Sequence, residues 1–125
     1  MRLLLFAMLL LTAFTLRKQN DALYDKRWYF GYMRLNGQVM EPPVKVAPAK
    51  RPWMYFAKDG AYQHGMDGRT EKGIWSLNKE SGRITTNVAG TNGKAEVTEL
   101  KLLRVSADSL ELEDPDGAVL GMVSK

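Results

Sequence analysis

From Trp28 onward, short runs of alternating apolar and polar residues are separated by turn signals: Lys58-Asp59-Gly60, Asp67-Gly68, Ser81-Gly82, Asn92-Gly93, Ala107-Asp108 and Asp114-Pro115-Asp116-Gly117. A period of two puts successive side chains on opposite faces of a strand, and residues of these types tolerate positive φ or a fixed turn. The pattern predicts about eight short strands joined as hairpins, which is the requirement of a small antiparallel barrel or sandwich.

Residues 26–36 begin the series, with Trp28, Phe30, Tyr32 and Arg34 on one face and Tyr29, Gly31, Met33 and Leu35 on the other. Both faces carry aromatics, so this segment does not orient itself, and Gly31 marks a bulge or sharp bend. Residues 38–50 hold Pro42, Pro43 and Pro48, a composition that cannot join a ladder in mid-sheet. They are read as a long loop, serving either as a lid or as a spacer. Residues 53–57 and 61–66 make a hairpin. Residues 70–78 give the clearest alternation, with Gly73, Trp75 and Leu77 on one face and Thr70, Lys72, Ser76 and Asn78 on the other; Ile74 is the apolar exception on the wetter side. Residues 83–88 follow with Ile84, Thr86 and Val88 inward, then 95–105 with Leu100 and Leu102 together, then Leu110 and Leu112 alternating with Glu111 and Glu113. Residues 118–123 can close the sheet against the first strand, which removes two unpaired edges. The fold class is all-β, a single up-and-down barrel.

Ahead of the strands the chain is continuously apolar from Leu3 to Leu16, broken only by Thr12 and Thr15, and then turns polar through Arg17-Lys18-Gln19-Asn20-Asp21. A helix of ~14 residues spans ~21 Å against a hydrocarbon core of ~30 Å, which suits the apolar region of a signal peptide better than a membrane span. Residues 1–22 are therefore expected to direct export to the periplasm or beyond, cleaved near Ala13-Phe14-Thr15 or kept as an anchor, with residues 23–125 as the domain.

Charge adds little. The formal net charge is +4, but without Arg2, Arg17 and Lys18 the rest has 15 of the 18 basic residues against 14 acidic ones. Both signs are mixed along the chain, without the basic stripe of a nucleic-acid binder, so no nucleic-acid partner is expected. Cysteine is absent, which removes disulfides and thiolate metal sites.

Laid out with Trp28 near the start of the first strand, a long loop, Phe56-Ala57-Lys58-Asp59-Gly60-Ala61-Tyr62, then Lys72-Gly73-Ile74-Trp75-Ser76-Leu77 and finally Leu110-Glu111-Leu112, the chain resembles the small bacterial lipocalin-like domains. These are exported, disulfide-poor relatives of the lipocalin and fatty-acid-binding barrels. The resemblance covers roughly residues 23–125 and implies a barrel of about eight strands able to shelter a ligand.

No catalytic constellation stands out. His64 is the single histidine, which excludes a histidine-rich metal site, and no serine occupies a Gly-x-Ser-x-Gly elbow. Gly90-Thr91-Asn92-Gly93-Lys94 lacks the first glycine of a phosphate loop, where Val88 stands, and has Ala95 in place of Ser or Thr. Asp114-Pro115-Asp116-Gly117 would place Leu112 and Val123 at ligand positions of a calcium loop. Neither motif holds, and no enzyme activity, metal or cofactor is expected.

Two readings of function follow. In the first, the barrel binds a small, largely apolar molecule in an interior lined by Trp28, Phe30, Trp53, Tyr55, Tyr62, Trp75, Leu77, Leu100 and Leu110, with Tyr32, Arg34 and His64 orienting a carboxylate or similar head group. A ligand burying ~200 Å² of apolar surface gains ~5 kcal/mol, close to the ~4 kcal/mol lost on association, so the reading needs a preformed cavity. Side chains can fill an eight-stranded interior completely. In the second reading the barrel is solid, and its surface or loops contact another exported protein or the cell envelope. The candidate surfaces are the proline loop and the acidic side of Glu111, Glu113, Asp114 and Asp116. Membrane contact is expected only through an uncleaved N-terminal segment.

Overall fold

Asn36 and Gly37 both take positive φ, 51° and 79°, the conformation of the two-residue turns whose twist matches that of paired strands. They fold strand β1 (Arg27–Leu35) onto β2 (Gln38–Met40). The computed structural model describes residues 21–41, 47, 50–66, 68–90 and 93–124. Within them follow β3 (Trp53–Phe56), β4 (Ala61–Met66), β5 (Arg69–Asn78), β6 (Arg83–Ala89), β7 (Ala95–Val105), β8 (Ser109–Glu113) and β9 (Val119–Val123).

From β3 to β9 each strand pairs antiparallel with the next, and β9 returns to β1, from Tyr29↔Val123 to Arg34↔Val119. The other edge of β1 is shared: Arg27, Trp28 and Tyr29 pair with β3, while Met33, Arg34 and Leu35 pair with β2. β2 and β3 are thus two halves of one interrupted strand, and the Phe30 amide donates to the Pro52 carbonyl at 2.8 Å to continue the ladder at the break. Counted this way the sheet is a closed eight-stranded barrel, as the sequence pattern predicts. One boundary is corrected. Residues 38–40 belong to the ladder, because the Asn36-Gly37 turn sets their register before the prolines intervene. Pro42, Pro43 and Pro48, and residues 1–20 of the segment 1–22 read as a signal or anchor, lie outside the described residues.

Directly opposed residues in an antiparallel pair share a face, so the registers sort inside from outside. The inward rows are Trp28–Met54–His64–Glu71, Phe56–Tyr62–Gly73–Val88–Glu96, Trp75–Thr86–Thr98, Leu77–Ile84–Leu100, Phe30–Met122–Leu110 and Met33–Leu120–Leu112. Trp28, Phe56, Ile84 and Leu112 are fully buried within them. The alternations expected for Trp75 and Leu77, for Ile84, Thr86 and Val88, and for Leu110 and Leu112 are all present.

The two ends of the barrel differ. Residues 21–23 form a helical turn at the end that also carries the turns after β3, β5 and β7. Leu23 is fully buried there, and its carbonyl accepts the indole N–H of Trp28 at 3.0 Å. The Asp25 amide donates to the Phe56 carbonyl at 2.9 Å, and an Asp25 carboxylate oxygen accepts the Lys58 amide at 3.1 Å. Tyr24 packs on Trp75 at 5.6 Å between ring centroids, Phe56 meets the same indole edge-on at 5.2 Å, and the Trp75 N–H donates to the Ala57 carbonyl at 2.8 Å. Each large side chain so enclosed contributes about 2 kcal/mol of transfer free energy. The opposite end carries the turns at Asn36-Gly37, Gly68, Gly93 and Asp114-Pro115-Asp116-Gly117. No described segment crosses it.

Candidate functional site: the open end of the barrel

Apolar side chains rim the open end. Met40 and Met66 are 52% and 56% exposed, and Leu35 is 37% exposed. Met40 pairs with Met33, which pairs on its other side with Leu120 on the inward face. Met66 is two residues beyond His64 on the same face of β4. Methionine is unbranched and adapts its shape to whatever it covers, which makes this rim a candidate contact surface.

Beneath this lip lies a polar chain. The Tyr62 hydroxyl is 3.1 Å from His64 Nδ1, and His64 Nε2 is 2.8 Å from Glu71 Oε2. The rings of Tyr62 and His64 meet edge-on at 5.5 Å. Tyr62 is buried, whereas His64 and Glu71 are partly open to the mouth. With a neutral imidazole both hydrogen bonds are satisfied in one way: Tyr62 O–H donates to Nδ1 and Nε2–H donates to the carboxylate. Burial, and secondarily the negative charge of Glu71, push the Tyr62 phenol well above its usual range.

Of the residues singled out in the sequence, Trp28, Phe30, Tyr62, His64, Trp75, Leu77, Leu100 and Leu110 occupy inward rows. Trp28 and Trp75 are tied to the closed end by their indole N–H bonds to the Leu23 and Ala57 carbonyls. Four residues are placed differently from the expectation. The register shifts between Phe30 and Tyr32, a bulge at Gly31 that moves every later residue of β1 to the other face. Tyr32 and Arg34 consequently point outward. Tyr32 lies across Gly121, where a Cβ would come within 2.0 Å of its ring. Burial and a hydrogen bond to Glu111 raise its pKa. Glu111 also pairs with Arg104, and Arg34 Nη2 stands 3.7 Å away. Tyr32, Arg34 and His64 therefore do not meet, and the carboxylate clamp expected of them is not assembled.

Trp53 and Tyr55 are also on the outer wall, a correction to the expected lining. Trp53 opposes Tyr29 and Gly65, and Tyr55 opposes Arg27 and Gln63, so the inward positions of β3 fall to Met54 and Phe56. The Trp53 indole lies over Gly65, where a Cβ would approach to 2.6 Å, and the Arg27 guanidinium stacks on its other face at 4.1 Å.

Glu71 and the lip methionines Met33, Met40 and Met66 were not anticipated. Counting outward from the turn at Asp67-Gly68 pairs Met66 with Arg69 and then His64 with Glu71, and this was the signal that could have found the pair. Among the described residues no group of three His, Cys, Asp or Glu side chains is placed to hold a metal. A separate cleft of about 300 Å³ lies between Arg83, Glu99, Lys101, Glu113, Asp114 and Pro115. It sits on the outer wall where β8 ends and β7 continues, and it takes no part in the mouth.

No family model matches the chain, and no curated protein matches it in sequence. Its likeness is to solved structures. A lipocalin-like protein from Bacteroides uniformis is 18% identical, the match covering 83% of this chain and 99% of that one with a TM-score of 0.61. An uncharacterized protein from Bacteroides eggerthii is 10% identical over 82% of this chain and 99% of its own, with a TM-score of 0.58. At such identities the likeness establishes the fold: the chain is a lipocalin-like barrel.

Proposed function

We propose that this protein is an exported, non-catalytic binding module that takes one small, largely apolar molecule through the open end of its barrel. The carrying observation is the contrast between a closed end, plugged by Leu23, and an open end lipped by Leu35, Met40 and Met66. The interior is occupied by Trp28, Phe56, Tyr62 and Leu112, so the ligand is confined to the mouth and is short. The test is titration of the full-length chain with the neutral dye N-phenyl-1-naphthylamine, following dye and tryptophan emission. Saturable uptake at one site is expected, weakened at least tenfold by Met40→Asp together with Met66→Asp. Absence of saturable uptake by the unmodified chain defeats the reading.

One observation favours the alternative of a solid barrel that contacts another exported protein. Pairing of β7 with β8 begins at Lys101↔Glu113, leaving residues 95–99 without a strand partner on that edge among the described residues, and Val97 is 63% exposed there. Exposed strand edges are templates for pairing. This alternative predicts no uptake of dye at any concentration in the same titration.

A further inference from the structure

The polar chain beneath the lip has spent its donors and kept its acceptors. With a neutral imidazole, Tyr62 O–H is committed to His64 Nδ1 and His64 Nε2–H to one oxygen of Glu71, so the free hydrogen-bonding capacity consists of the remaining lone pairs of Glu71 and of the Tyr62 oxygen. Glu71 carries the negative charge that acts on Tyr62. Arg69 is two residues closer to the lip on the same face of β5, opposite Met66, and is exposed.

We infer that the head group received here is a hydrogen-bond donor or a cation, an amine or a hydroxyl, held by Glu71, and that carboxylate-headed molecules are rejected. The inference rests on the open-end reading and specifies its ligand. A donor head group pairs with a carboxylate oxygen already oriented by His64. A carboxylate head group would face Glu71 with neither a proton to share nor a free donor on Tyr62 or His64, and like charges in a partly desolvated mouth repel. Sites built to pair a donor discriminate strongly against molecules lacking one, because buried polar groups are left unpaired.

The experiment is displacement of N-phenyl-1-naphthylamine from the full-length chain by decylamine, decan-1-ol and decanoate at neutral pH. Decylamine and decan-1-ol are expected to displace the dye at concentrations at least tenfold below decanoate. Glu71→Gln should shrink the advantage of decylamine over decanoate about tenfold. Glu71→Lys should turn the preference toward decanoate, a gain that unfolding cannot imitate, and Arg69→Gln should leave the order unchanged. Equal displacement by all three, an order unmoved by both Glu71 substitutions, or decanoate binding that disappears in Arg69→Gln would overturn the inference while leaving the open-end reading standing. Failure of the dye itself to bind would overturn both.

Discussion

At one end of the barrel the inward side chains find their partners within the protein, and at the other end the same alternation leaves Met40 and Met66 exposed, with no described segment over them. Trp28 has its ring enclosed and its N–H bonded to Leu23. Met40 and Met66 are inward by register toward the other end of the barrel and remain more than half exposed. The strands themselves do not account for the difference. Residues 21–25 fold across one opening, and no described segment folds across the other. An apolar side chain on the inner wall of a barrel contributes to stability once a further element completes its contacts. Without that element its apolar surface stays exposed.

The largest effect expected from this contrast is at the closed end. Trp28→Ala removes a fully buried indole and leaves the Leu23 carbonyl without its donor, and should cost about 4 kcal/mol, measured by urea unfolding. A loss below ~1 kcal/mol would mean that the plug does not hold that end together.

Tyr62 lies between the two regimes, and its test is pH. Burial and Glu71 raise its pKa above the ordinary 10.0, so the folded protein keeps a proton that the unfolded chain releases. That contribution to stability is complete below pH 10 and declines as pH rises beyond it. Tyr62→Phe should lower stability by about 1 kcal/mol at neutral pH through the lost hydrogen bond and flatten the alkaline decline. Tyr24 and Tyr32 are also shifted upward, so part of the slope survives. Thermal melts between pH 8 and pH 11 in both proteins check this, and identical slopes would remove Tyr62 from the account.

The smallest effect on stability belongs to the lip. Met40→Ala with Met66→Ala should change unfolding free energy by no more than about 0.5 kcal/mol, yet weaken dye uptake several-fold. A stability loss of ~2 kcal/mol would show that the lip is core.

Much of this architecture was legible in the sequence wherever a turn signal fixed the register and no bulge followed. The strands holding Trp75 and Leu77, Ile84 and Val88, and Leu110 and Leu112 fall in that class. The alternation fails in β1 because one extra residue at Gly31 inverts every face after it, carrying Tyr32 and Arg34 outside. It fails in β3 because Trp53-Met54-Tyr55-Phe56 is apolar on both faces. Only the neighbouring strands decide such a case: Gly65 offers an outer seat for Trp53, and Tyr62 an inner partner for Phe56. The prolines concealed the Asn36-Gly37 hairpin ahead of them. Of the candidate site, His64 and Tyr62 were within reach of pattern reading. Their junction with Glu71 required pairing across a turn, and the plug required knowing where Leu23 folds.

The chain enters the barrel at Asp21, next to the plug and on the far side from the mouth. A leader retained in a bilayer would therefore tether the protein by its base, with the lip turned toward the aqueous compartment. On the function proposed above, the ligand would then be collected from solution, and lipid molecules of the tethering membrane would have no direct route into the mouth.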